Sequence, residues 1–191
     1  HVPVLLETTL DVLQPLPGES YLDLTAGYGG HARAFLDKTH NYTESVLVDR
    51  DDYAIERLKP LEEQGGLLLH TDFVSAAKQL IEEGKRFKII LIDLGVSSPQ
   101  LDQASRGFSF TKSGPLDMRM DRRQGESAET LVNTASADEL TRIITEYGEE
   151  PLGFARTVAS AIVARRPLFN TEELASLIKD TYRGKWKKNH P

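Results

Sequence analysis

Three aspartates mark apolar runs: Asp23 lies inside Tyr21-Leu22-Asp23-Leu24, Asp49 closes Ser45-Val46-Leu47-Val48, and Asp93 follows residues 87–92. Between the first two lies Gly27-Tyr28-Gly29-Gly30-His31. A glycine-rich turn lets backbone approach a ligand closely, and the helix that starts behind it favours negative partial charge. Asp49 follows at about the 20-residue spacing of a nucleotide-binding βαβ unit, placed to accept both hydroxyls of a ribose. Such a site could hold NAD or S-adenosylmethionine. The turn lacks the G-x-G-x-x-G pyrophosphate pattern, and Asp23 suits a cationic ligand with an amino-acid tail more than a diphosphate. Both details favour the sulfonium cofactor.

Two further apolar runs complete the candidate pocket. Phe73 follows the third and could lie against an adenine, or simply belong to the core. Asp93 ends the fourth, at the carboxyl edge where open α/β sheets place ligands. Beyond it, Ser97 and Ser98 add hydroxyls that could accept hydrogen bonds from an amine, although Ser-Ser-Pro is also ordinary turn chemistry.

The elements that must position these residues alternate. Helical spacing covers residues 4–14 and stops at Pro15-Leu16-Pro17-Gly18. Strands are expected over 21–24, 45–48, 67–69 and 87–92, with helices over 30–38, 51–61 and 75–83, the last capped by Ser75. The run 87–92 is almost continuously apolar, as in a parallel strand buried on both faces. This alternation predicts an α/β doubly wound sheet. Residues 94–125, rich in Gly, Ser, Pro and Asp, read as a long loop, and loops of that length are usually functional or disordered. Helices alone follow. Ser136-Ala137-Asp138-Glu139 is a capping box, residues 154–165 are amphipathic with Val158, Ile162 and Val163 available for a core, and Thr171 caps a last helix over 172–182. We expect a cofactor-binding core over residues 1–104 and a loop plus helical domain over 105–191.

Composition narrows the setting. No apolar run approaches the ~18 residues of a membrane span. The absence of cysteine removes disulfides and Cys-based metal sites and fits a cytoplasmic protein. The net charge of −6 hides an asymmetry: residues 156–191 hold 8 Lys/Arg against 3 Asp/Glu. A basic end on an acidic body suggests a polyanion met locally, or a solvated helical face.

The stretch Asp93-Leu94-Gly95-Val96-Ser97-Ser98-Pro99-Gln100-Leu101-Asp102, continuing through Arg106-Gly107-Phe108-Ser109-Phe110 to Gly114-Pro115-Leu116-Asp117-Met118-Arg119-Met120-Asp121, resembles the ribosomal RNA small subunit methyltransferase H (MraW) family. His1-Val2-Pro3-Val4-Leu5-Leu6, Gly29-Gly30-His31, Asp49-Arg50-Asp51, Tyr147-Gly148-Glu149-Glu150 and Ala161-Ile162-Val163 agree with it. The resemblance implies a Rossmann-like class I methyltransferase sheet with an inserted helical domain. It implies S-adenosyl-L-methionine-dependent methylation of a cytosine N4 amine in 16S rRNA of the small ribosomal subunit. It also implies cofactor contacts at Gly29, Gly30, His31, Asp49, Phe73, Asp93 and Gln100.

The chemistry agrees with the residue types. An exocyclic cytosine amine is a poor nucleophile because its lone pair is delocalised into the ring. Acceptors that draw it towards tetrahedral geometry, and a site that aligns it with the methyl group, supply the help it needs. Asp93, Ser97 and Ser98 are the candidate catalytic acceptors. No metal and no covalent intermediate are expected; methylation at C5 commonly uses a Cys nucleophile, which these residues lack. For RNA, Phe108 and Phe110 could stack on a flipped base or belong to a core. Arg106 and Arg119, with Arg122 and Arg123, could bind phosphates, Arg119 equally forming an internal ion pair with Asp117. Lys185 and Trp186 interleave charge with an aromatic ring in the manner of single-strand binding.

Other readings stay open: the same cofactor acting on DNA cytosine or a protein amide, a catalytically silent RNA- or ribosome-binding module, and, more weakly, an NAD oxidoreductase. In the family, a return to the core brings the last strands of the sheet after the helical domain. The residues here supply only the first four, so an exposed edge is expected beside the fourth strand and the chain is expected to be incomplete.

Overall fold

The computed structural model describes residues 3–182. They form two compact units, one of residues 3–97 with 120–123, the other of residues 98–119 with 124–182.

In the first unit β1 (Tyr21–Asp23), β2 (Val46–Asp49), β3 (Leu67–His70) and β4 (Ile89–Leu91) form a parallel sheet in the order β3-β2-β1-β4. Its register pairs Asp23 with Leu47 and Leu91, and Asp49 with His70. The crossovers are α2 (Gly30–Thr39), α3 (Asp52–Glu62) and α4 (Phe73–Glu82), and α1 (Leu6–Leu13) precedes β1. Strand alternation divides the core in two. Tyr21, Leu47 and Ile89 face Phe35, Leu36, Leu58 and Leu61, while Leu22, Leu24, Val46 and Val48 face Ala76 and Leu80. The Tyr21 and Phe35 rings stack with centroids 4.8 Å apart. This is a Rossmann-like parallel sheet with helical crossovers.

β4 departs from expectation. Ile89 is 4% exposed, but Ile90 is 53% and Ile92 48%. In the described sheet β4 has one neighbour, β1. Ile90, in register with Leu22, shares the face that α4 covers only further along the sheet. The run is therefore buried on one face, not two.

The second unit holds α5 (Ser98–Asp102), a 3₁₀ turn (Ala104–Arg106), α6 (Ala128–Thr134), α7 (Ala137–Glu146), α8 (Leu152–Arg165) and α9 (Thr171–Thr181). Its core joins Val132, Leu140, Val158, Ala159 and Ile162 with Leu116 from the loop. Val163, expected in that core, is 40% exposed; the buried stripe of α8 is Ala155, Val158, Ala159 and Ile162, at helical spacing. The loop is bound into this unit. Pro115 bridges Asn170, Thr171 N–H donates to the Gly114 carbonyl (2.9 Å), and Ala128 N–H donates to that of Asp117 (2.8 Å).

Two caps differ from the sequence reading. Asp72, not Ser75, caps α4: its Oδ1 accepts from the amides of Val74 (2.9 Å) and Ser75 (3.0 Å). Asn170, not Thr171, caps α9 by accepting from Glu173 N–H (2.9 Å), while the Thr171 hydroxyl binds the loop at Gly114 N–H and the Lys112 carbonyl. In both cases the helix starts earlier than the sequence reading places it, so the residue just before that start supplies the capping oxygen. Ser136 caps α7 as expected, accepting from Glu139 N–H at 3.1 Å.

Candidate active site

The site residues of the first unit gather at the carboxyl ends of β1, β2 and β4. Both oxygens of Asp49 hold backbone: Oδ2 accepts from Gly27 N–H (2.7 Å) and Oδ1 from Asp51 N–H (2.8 Å). The carboxylate thus pins the glycine turn to the tip of β2, and each oxygen retains a lone pair for a ribose hydroxyl. Burial raises the Asp49 carboxyl above the ordinary range, opposed by those same amides.

Gly29 caps α2 at φ 78°. A Cβ there would stand 2.5 Å from Arg33 Nη1 and 3.0 Å from Leu58 Cδ2. Arg33 has little room to yield, because Nη1 donates to the Tyr28 carbonyl (2.7 Å) and Nη2 to that of Arg57 (2.9 Å). Gly29→Ala is therefore expected to cost roughly 1–2 kcal/mol from the backbone alone. Cofactor binding should weaken with it, as the turn shifts; urea unfolding and calorimetry of the variant check both. Gly30 lies against Pro3, and His31 Nε2 is 3.1 Å from the Val4 carbonyl, so the segment before α1 rests on the turn.

Asp23 lies at the carboxyl end of β1. It is 1% exposed, with Oδ2 accepting from the Tyr21 hydroxyl (2.7 Å) and Oδ1 from Thr25 N–H (3.1 Å). Its side chain is held by the strand and the turn inside the core. Burial pushes its carboxyl up to about 7; the Tyr21 and Thr25 hydrogen bonds oppose this, and the charges of Asp49 and Asp93 add to it. Burial and the Asp23 charge likewise raise the Tyr21 hydroxyl. Three acidic side chains at one sheet edge favour a cation and repel a diphosphate. With a glycine cradle that a side chain would fill, the residues present fit S-adenosylmethionine.

Asp93 lies exposed just past β4, its N–H donating to Thr25 Oγ1 at 2.7 Å. Phe73 opens α4 and is 38% exposed. Segment 120–123 of the loop joins this unit at the tip of β3. Arg123 grips Asp121 through Nε (2.8 Å) and Nη2 (2.9 Å), and its Nη1 lies 3.0 Å from His70 Nδ1. Arginine only donates, so Nδ1 accepts and the His70 proton sits on Nε2, 3.2 Å from Asp52 Oδ1. Sequence reasoning missed this network, because nothing in the local pattern of His70 or Asp52 signals a partner as distant in sequence as Arg123. Thr25 was missed too, although its place between Asp23 and the glycine turn was a usable signal.

The remaining candidates fall elsewhere. Ser97 ends the first unit. Ser98 and Gln100 (4% exposed) stand on α5 of the second. Arg106 is a correction: at 1% exposure it lies inside the loop, its Nη2 donating to the Arg119 carbonyl (3.3 Å) and its guanidinium 6.0 Å from the Phe108 ring centre. It orders the loop rather than offering a surface charge to phosphate. Arg119 takes its alternative role, with Nε 2.7 Å from Asp117 Oδ1. Phe108 is half-buried, whereas Phe110 is 53% exposed. Lys185 and Trp186 lie outside the described residues. Among the described residues no three His, Asp or Glu side chains group as a metal site, and no helix is long and apolar enough to cross a membrane.

The sequence matches the MraW methylase family over residues 1–191. The chain belongs to that family. Among curated relatives, "Ribosomal RNA small subunit methyltransferase H" of Cyanothece sp. is 44% identical over 192 residues, covering 100% of this chain and 64% of the relative. The proteins of the same name from Idiomarina loihiensis and Nitratidesulfovibrio vulgaris are 40% and 44% identical, each covering 100% of this chain and 62% and 55% of the relative. The chain thus spans less than two thirds of the length of these MraW relatives.

Proposed function

We propose that the protein is an S-adenosylmethionine-dependent methyltransferase of the cytosine N4 amine in 16S rRNA, acting on the small ribosomal subunit in the cytoplasm. The observation that carries the reading is the Asp49 carboxylate holding the glycine turn at the end of β1, in a chain of the MraW family. When bound, the cofactor supplies a methyl group on a positively charged sulfur. Gly29, Gly30 and His31 would hold its amino-acid end, Asp49 the ribose, Phe73 the adenine, with Asp93 and Gln100 completing the contacts. The Asp93 carboxylate and the Ser97 and Ser98 hydroxyls would accept the amine's hydrogen bonds and localise its lone pair, and the Asp93 carboxylate would take the proton released as the methyl group is transferred.

In this reading residues 1–104 are the cofactor-binding core and 105–191 the RNA-recognition part. Phe110 stands exposed for stacking, with Phe108, Arg119, Lys185 and Trp186 as further contacts; Arg106 supports the loop from inside. Labelled methyl transfer to purified small subunits, duplex DNA and a protein mixture tests the reading. Label in 16S rRNA alone, released as N4-methylcytidine on digestion, is the expected result. Label confined to DNA or protein overturns the substrate, and cofactor binding without transfer to any of them overturns the enzyme.

A further inference from the structure

The order β3-β2-β1-β4 places the point where the sheet reverses direction between β1 and β4. Parallel neighbours stay joined there as far as Leu24 N–H, which donates to the Leu91 carbonyl at 3.0 Å. A continuing parallel ladder would next send Asp93 N–H to the Leu24 carbonyl. It donates instead to Thr25 Oγ1, at 2.7 Å. The side chain of one strand end has taken the place of a backbone carbonyl, so the two strands can part while their tips stay tied. Thr25 is fixed in turn, because its own N–H donates to Asp23 Oδ1 (3.1 Å) inside the core.

From this geometry we infer that the Thr25 hydroxyl is a positioning group for Asp93, setting where the segment leaving β4 presents its carboxylate to the reacting amine. The inference rests on the methyl-transfer reading above. Thr25 does not hold the cofactor cradle. Gly27 N–H goes to Asp49, and Ala26 N–H goes to the Val48 carbonyl at 2.9 Å. Loss of the hydroxyl therefore separates the tip of β4 from β1 and leaves the turn and β2 joined. Small misplacements of a reacting group lower turnover steeply, whereas ground-state binding made elsewhere is retained.

The test compares Thr25→Val, which keeps the shape and deletes the acceptor, with Thr25→Ser, which keeps the acceptor, both in the full-length protein. The Val variant should lose about 10- to 100-fold in kcat and clearly less in affinity for S-adenosylhomocysteine, because Asp93 is one of several proposed cofactor contacts and the glycine turn stays pinned to Asp49. Its Asp93 amide should lose protection from hydrogen exchange, and Thr25→Ser should restore protection and rate. An unchanged Asp93 amide, an unchanged kcat, or equal losses in the Ser and Val variants would each overturn the inference. If Thr25→Val does not fold, Thr25→Ala takes its place with the same amide readout. Should wild-type protein transfer no methyl group, the functional reading fails; the exchange measurement still decides whether Thr25 holds Asp93.

Discussion

Asp49→Asn should weaken cofactor binding by about 100-fold or more and lower the stability of the free protein. The carboxylate accepts from two amides on different elements, Gly27 in the turn and Asp51 at the start of α3. Asparagine offers one oxygen and one NH₂. Whichever way it turns, one of the two N–H groups meets a donor in a part-buried site, and a buried polar group left unpaired costs about 1–3 kcal/mol. In the proposed reading a ribose hydroxyl also loses one of its acceptors. Together these place the loss in affinity on the order of 10²-fold, since about 1.4 kcal/mol corresponds to tenfold. Calorimetry with S-adenosylhomocysteine reads the affinity and thermal unfolding the stability. A dissociation constant within threefold of wild type would mean that Asp49 only shapes the turn.

The second large effect lies in pH. The Asp23 carboxyl, pushed up to about 7 from an ordinary 3.8, holds its proton in the folded chain over a range where the unfolded chain has released it. Stability rises with pH only where the unfolded state binds more protons, and here the folded state binds more. The contribution from Asp23 is therefore complete below about pH 4 and is lost as pH climbs through about 7. Asp23→Asn stays neutral throughout, so the stability of wild type relative to the variant should fall by a few kcal/mol between those limits and then level off. Urea unfolding of both proteins at several pH values checks this, with other titrating groups cancelling in the difference. A pH-independent difference would show that Asp23 stays charged in the fold. A bound cation favours the ionised carboxylate, so cofactor binding near neutral pH should release protons, measurable as a buffer-dependent heat.

The α/β order was legible because each strand is a short apolar run and each helix carries its own periodicity. The helices over 30–38, 51–61 and 154–165 appear in nearly those bounds as α2, α3 and α8. Asp49 and the glycine turn were legible because spacing alone brings them together across one βαβ unit. What escaped depends on partners distant in sequence. Nothing near Arg106 indicates that Leu116 and α6 would draw the loop inward and bury its guanidinium, or that Asp117 would claim Arg119. The partner of Asp23 escaped as well: Tyr21, two positions earlier on the same strand face, occupies one carboxylate oxygen. The run 87–92 was overcalled because composition reports how apolar a strand is and not how many neighbours cover it.

Residues 120–123 belong to the sheet-bearing unit, although the chain on both sides of them belongs to the helical one. The polypeptide consequently passes between units three times, after Ser97, after Arg119 and after Arg123. No single protease cut can separate the units into two self-contained pieces. A nick near residue 97 leaves the Asp121–Arg123 clasp on the helical fragment while His70, which it touches, stays with the sheet, and a nick after Arg123 leaves residues 98–119 on the other. Limited proteolysis at either place should yield fragments that remain associated until they are denatured.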